Sequence, residues 1–204
     1  MNAIFDMDRR SLLRNILLSV GSMAIPAGCT LGSGPGKDFA FSTEQMALVS
    51  AIADTVIPKG DTVGALDVKV PANLETLLRG WASADTLEEV LAGLERVDAA
   101  SNKAKGKDFA ALDAATRLEV LKAHEAKAMK DAPEQPAAGG IAMFRGPVKV
   151  DAGYARLRGL IVKLFYLSED ALTQELTYEH DPGGYTGSVP LTPESRPEGG
   201  LSPI

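Results

Sequence analysis

The chain has 204 residues, of which 45% are hydrophobic and 24% are charged, a composition typical of a soluble globular protein and not of a disordered or membrane-embedded one. Its formal net charge is −6, and because binding to phosphates needs clustered Lys and Arg, this acidity without a basic stripe argues against a nucleic-acid partner. One cysteine and two histidines provide neither a disulfide framework nor a thiolate metal cluster.

Residues 1–29 have the pattern of an export signal. Arg9 and Arg10 precede Ser11, two leucines and Arg14, and the apolar run that follows, Ile16–Ala27, is too short to span a bilayer. The pattern predicts a twin-arginine signal and therefore a periplasmic location. A short surface helix that begins with two arginines is the alternative. Cys29 stands where a lipoprotein carries its acylated cysteine, so lipidation there is also open.

The hydrophobic spacing after the leader predicts an all-α fold. Residues 30–41 form a flexible linker, residues 42–190 a helical domain and residues 191–204 a Pro/Gly-rich tail. Alternation of β-branched residues with period two is nearly absent. We therefore expect a compact bundle of about five to six helices with long C-terminal loops, preceded by the signal peptide.

Capping residues mark the expected helices in chain order. Ser42 and Gln45 form a capping box for the first helix, which Pro58 ends, and Pro71 opens the second. The third is expected from Asp85, the fourth over about Asp113–Met129, the fifth from Asp151 and the sixth from Ser168. The side chains predicted to face the core are Met46, Val49, Ile52, Ala53, Val56, Leu74, Leu77, Leu78, Trp81, Leu87, Val90, Leu91, Leu94, Val97, Leu118, Val120, Leu121, Tyr154, Leu157, Ile161 and Leu164.

Two irregular segments, Asp131–Pro147 and Tyr178–Gly187, are the expected places for a partner to bind. Both are rich in glycine or proline, and long loops in compact domains are usually functional or mobile. Apolar residues in such loops have no helical periodicity that commits them to the core. The candidate interface residues are Ile141, Met143, Phe144, Tyr178, Pro182, Gly183 and Tyr185.

Side chains with catalytic potential are few. His124-Glu125 lacks the second histidine of a His-Glu-x-x-His zinc motif, because position 128 is alanine, so the pair is expected on a solvated helix face. Glu179 and His180 lie in a polar triplet typical of turns and caps. We therefore assign no catalytic, cofactor-binding or metal-binding residue. An independent periplasmic metal-dependent enzyme that uses Glu179, His180 or Glu125 stays open as an alternative, as does a lipidated scaffold.

Several short motifs, read together with the leader, resemble the gluconate 2-dehydrogenase subunit 3 family. The first is Ile52–Pro58, followed by Asp61-Thr62-Val63-Gly64-Ala65 and by Val70-Pro71. The second is Leu164–Glu169, followed by Leu176-Thr177-Tyr178 and by the loop Asp181–Gly187.

The resemblance implies a complex of several subunits. It implies a non-catalytic small subunit that escorts export and stabilises a large flavin subunit of the glucose-methanol-choline type, in a periplasmic or membrane-associated sugar dehydrogenase. FAD is then expected in that partner and haem c in a multihaem cytochrome partner, with no cofactor in this chain. It also implies membrane association through the complex.

Overall fold

The computed structural model describes residues 38–133, 147–177, 188, 190–193 and 195–197. Its helices are α1 (Thr43–Val56), α2 (Val70–Trp81), α3 (Ala84–Lys105), α4 (Ala114–Ala128), α5 (Ala152–Tyr166) and α6 (Glu169–Glu175), with a 3-10 turn at Phe109–Ala111. Within these described ranges there is no β-strand, and an isolated antiparallel bridge joins Asp131 and Lys149. The predicted all-α fold is confirmed. None of the described helices is long and apolar enough to cross a membrane.

Local capping chemistry sets where the helices begin. The Ser42 hydroxyl accepts from the Gln45 amide while the Gln45 side chain accepts from the Ser42 amide, so the predicted capping box is present. Asp151 and Ser168 cap α5 and α6 as expected. The prediction for α3 is wrong at its start. Its N-cap is Ser83, whose hydroxyl accepts from the Thr86 amide, because a serine two residues upstream can cap the turn as well as an aspartate.

The core gathers around α5, which buries Tyr154, Leu157, Ile161 and Phe165 almost completely. Most of the predicted inward stripes are buried or half-buried, and the interior is one apolar cluster that receives side chains from all six helices. Two predictions are wrong, since Trp81 is 59% exposed and Leu118 is 42% exposed. Trp81 is the last residue of α2, and the next residue, Ala82, takes the buried position. Leu118 lies at the edge of the apolar face of α4, where it lines a surface groove.

The connection between α1 and α2 is held by hydrogen bonds within itself. The Ala65 amide donates to the Ile57 carbonyl (3.0 Å), and the Val70 amide donates to the Ala65 carbonyl (3.0 Å). A Cβ atom on Gly64 would lie 2.6 Å from the backbone nitrogen of Lys59, so only glycine fits there. The Thr62 hydroxyl also contacts the Glu175 carboxylate of α6. These contacts explain why the motif Ile57-Pro58…Gly64-Ala65…Val70 forms one compact unit.

Helices α3 and α5 touch backbone to backbone through two glycines. A Cβ on Gly93 would stand 2.6 Å from the Gly153 carbonyl carbon, and a Cβ on Gly153 would stand 2.0 Å from the Glu89 carbonyl oxygen. This close approach brings the beginning of α5 against the middle of α3. It also places charged side chains of both helices beside each other.

Candidate functional site

A network of charged side chains joins α3, α4 and α5, with Asp151 at its centre. Arg96 of α3 donates to the two Asp151 carboxylate oxygens from Nε (2.8 Å) and Nη2 (2.5 Å). The Tyr154 amide donates to the same carboxylate at 2.9 Å. His124 of α4 lies beside this group, with Nε2 3.4 Å from Asp151 Oδ2 but without a hydrogen-bond partner among the described residues. Asp151 is 6% exposed, so these partners stabilise a carboxylate that has lost most of its water.

A second part of the network continues along α4 and α5. The Tyr154 hydroxyl donates to Glu125 Oε1 at 2.7 Å, and Arg158 Nε lies 2.8 Å from the same oxygen. The rings of His124 and Tyr154 meet edge to face with centroids 4.9 Å apart. On the other side of α5, Arg156 pairs with Glu89 at 2.8 Å. The charges at this junction therefore occur as neighbouring pairs.

Burial shifts the acid–base properties of these groups. Burial raises the pKa of the Tyr154 hydroxyl, and the hydrogen bond to Glu125 raises it further, so the hydroxyl stays a proton donor. Burial also acts to raise the pKa of Asp151, but hydrogen bonds from Arg96 and from the Tyr154 amide outweigh it and keep the pKa below its ordinary value. Burial lowers the pKa of His124, which the nearby Asp151 carboxylate offsets only in part.

The predicted solvated position of His124-Glu125 is wrong. The His124 side chain is 12% exposed and Glu125 is 28% exposed, because the α5 side chains Tyr154 and Arg158 cover this face of α4. The periodicity of α4 by itself gave no sign of this packing. Among the described residues, no three His, Cys, Asp or Glu side chains come together in a group that could hold a metal ion.

The network lies at the base of the segment between α4 and α5. The Val150 amide donates to the Lys130 carbonyl (2.9 Å), and the Asp151 amide donates to the Ala128 carbonyl (3.0 Å). Lys149 and Asp131 form an ion pair at 2.7 Å. The arrangement therefore fixes both ends of the segment relative to α3, α4 and α5. We call the network of Arg96, His124, Glu125, Asp151, Tyr154 and Arg158 the polar clamp. Ion pairs and hydrogen bonds hold it together, although His124 Nε2 and Arg158 Nε have no hydrogen-bond partner among the described residues.

Two grooves open beside helices α1 and α4. The first, of about 140 Å³, is lined by Thr55, Val56, Leu118, Leu121, Lys122, Glu125 and Arg158. The second, of about 260 Å³, is lined by Ala47, Ser50, Ala51, Asp54, Leu66, Ala110 and Arg117. Neither groove was predicted from the sequence. Leu118 was assigned to the core, and Leu66 lies in the connection between α1 and α2, where no periodicity indicates its environment.

The candidate residues named from the sequence lie largely outside the described ranges. This holds for the export residues Arg9 and Arg10, for Cys29, and for Glu179 and His180. It also holds for the candidate interface residues Ile141, Met143, Phe144, Tyr178, Pro182, Gly183 and Tyr185. Their assignments stay predictions.

The clamp itself was missed as a unit. Asp151 was predicted as a helix cap and His124-Glu125 was noticed as a pair, but no spacing rule connects them with Arg96, which lies 55 residues before Asp151. A signal that could have found it was the presence of His124, Glu125, Tyr154 and Arg158 on helices that follow one another in the chain. Consecutive helices joined by a loop are frequent packing neighbours.

Comparison with protein families shows to which family the chain belongs. The family model described as Gluconate 2-dehydrogenase subunit 3 matches residues 43–183, which confirms the resemblance seen in the short motifs. Neither the curated proteins nor the solved structures include a match. Since the matched stretch is more than half of the sequence, the chain belongs to the gluconate 2-dehydrogenase subunit 3 family, whose name describes a subunit of a dehydrogenase.

Proposed function

We propose that this chain is a non-catalytic accessory subunit of a periplasmic, FAD-dependent sugar dehydrogenase complex of the gluconate or glucose type. The observation that carries the proposal is the family match over residues 43–183. The polar clamp is consistent with it, because its titratable groups form pairs with each other that stabilise the junction of three helices.

The proposal assigns the redox chemistry to other chains. A large flavin subunit of the glucose-methanol-choline type would hold FAD, and a multihaem cytochrome c would accept the electrons. The accessory subunit would stabilise the flavin subunit and escort it through export. The leader supports this escort role, because Arg9 and Arg10 have the twin-arginine pattern of a route that carries folded proteins. Membrane association would then come through the complex.

Export of both subunits tests the proposal. The double substitution Arg9→Lys and Arg10→Lys should leave this chain and its flavin partner in the cytoplasm, since the partner depends on this leader. Immunoblots of periplasmic and cytoplasmic fractions, with flavin absorption of the periplasmic fraction, provide the measurement. Arg14→Lys is the matched control. It makes the same Arg-to-Lys change in the same leader but outside the Arg9-Arg10 pair, and it keeps a base at position 14.

Full periplasmic delivery of the flavin subunit by the double variant would refute the escort role. The escort role is supported if Arg14→Lys and the natural chain deliver the flavin subunit to the periplasm and the double variant does not.

A further inference from the structure

Both grooves are lined by residues of α1 and α4, and we call the two together the α1–α4 face. Asp54 and Arg117 line the second groove, and the residues that directly follow them, Thr55 and Leu118, line the first. Each groove exposes one leucine, because Leu66 is 45% exposed and Leu118 is 42% exposed. Exposed apolar side chains that line concave sites are typical of protein interaction surfaces.

The floor of the second groove is made of short side chains. Ala47, Ser50 and Ala51 follow helical spacing along α1, and the Ser50 hydroxyl is turned back onto the Met46 carbonyl at 2.7 Å. Its polar group is therefore satisfied within the helix. An apolar side chain bound beside Leu66 would therefore leave the Ser50 hydroxyl hydrogen-bonded.

The charges of the α1–α4 face are compensated except at one position. Arg117 donates to the Ala110 carbonyl at 2.6 Å and lies 3.9 Å from Asp54, while Arg158 pairs with Glu125. Lys122 lines the first groove and forms no ion pair with any described residue. In a chain of net charge −6, a cation without an ion pair, in the same groove as the exposed Leu118, is complementary to a carboxylate.

From these contacts we infer that the α1–α4 face binds the dehydrogenase subunit of the complex, and that the bound segment presents a carboxylate to Lys122 and apolar side chains to Leu66 and Leu118. The inference rests on the proposed function and adds the surface and the chemistry of its partner segment. The apolar contacts provide affinity, and the Lys122 charge selects the register of the segment.

Two pairs of matched variants test the surface. Lys122→Glu should weaken binding of the flavin subunit about tenfold or more, because it places like charges together. Lys127→Glu makes the same change five residues later, in the last turn of α4 and outside both grooves, and should bind as the natural chain does. Leu118→Glu should weaken binding similarly, whereas Leu172→Glu, at an equally exposed leucine of α6 (40%), should not.

The measurement uses the full chain and the flavin subunit isolated from the natural complex, identified by mass and flavin absorption. Kd is determined by titration, and circular dichroism checks that each variant keeps its helices. Failure of the natural chain to yield a flavin subunit would refute the proposed function. A natural complex that Lys122→Glu and Leu118→Glu bind unchanged would refute only the α1–α4 face.

A second copy of this chain is the competing occupant. Light scattering of the isolated chain separates the two cases. A natural dimer that Lys122→Glu converts to a monomer would overturn the assignment to the dehydrogenase subunit, and a monomer in both forms supports it.

Discussion

His124 couples the fold to pH, because burial lowers its pKa below the ordinary value of 6.5. The unfolded chain binds a proton there at about pH 6.5, while the folded chain resists doing so. The charged groups that face it are Asp151 at the start of α5, Arg96 on α3 and Glu125 on α4. The neutral His124 imidazole therefore contributes its full share to the free energy of unfolding above pH 6.5. This contribution is lost as the pH falls toward the pKa of His124 in the folded chain.

We expect the free energy of unfolding of the natural chain to decrease between about pH 7.5 and about pH 5, with a slope from this residue of at most about 1.4 kcal/mol per pH unit. His124→Gln should flatten that slope. Denaturant titrations at each pH give the measurement. An identical slope in both chains would contradict the assignment. Asp151 does not interfere, because a carboxylate whose pKa is lowered in the folded chain loses its contribution only below about pH 5.

At the scale of secondary structure, the crossing of α3 and α5 depends on the absence of a side chain. Gly153→Ala would put a Cβ 2.0 Å from the backbone oxygen of Glu89, and backbone cannot move aside as a side chain can. We expect a loss of at least about 2 kcal/mol in the free energy of unfolding, as in other overpacked sites.

Gly159→Ala is the matched control in the same helix. A Cβ there meets nothing within 4 Å, so the higher helix propensity of alanine should stabilise the chain by about 0.5–1 kcal/mol. Thermal melting of both variants tests the pair. Equal effects at the two positions would mean that the helices do not cross at Gly153.

At the scale of the whole molecule, the partner surface need not end at the α1–α4 face. Phe144 is an aromatic residue in a segment of glycine and proline, and the ends of that segment are fixed by the Lys149–Asp131 pair and by the polar clamp. We predict that Phe144→Ala weakens complex formation by at least about 1 kcal/mol and changes the chain's own melting little, as for an aromatic anchor at an interface.

Leu167→Ala is the control for Phe144→Ala, because it removes a side chain that is 74% exposed in the short turn between α5 and α6. Melting and flavin-subunit affinity are measured on the same preparations. A large melting loss with unchanged affinity would assign Phe144 to the chain's own core.

The sequence by itself determined the helices and most of their first residues. Ser42, Asp151 and Ser168 could be identified as caps because a capping bond joins residues only three positions apart. The apolar stripe of α5 was readable for the same reason, since helical spacing repeats every few residues. The family was also readable from short motifs, which form compact local units such as the connection between α1 and α2.

Only the tertiary structure decided which polar groups meet and which surfaces stay open. Arg96 reaches Asp151 because Gly93 and Gly153 let α3 and α5 approach closely, and His124 is half-buried because α5 covers that face of α4. Trp81 is exposed because α2 ends at it. The contacts of Arg96 and His124 depend on the position of a second helix, whereas periodicity along one helix indicates only that one of its faces is apolar.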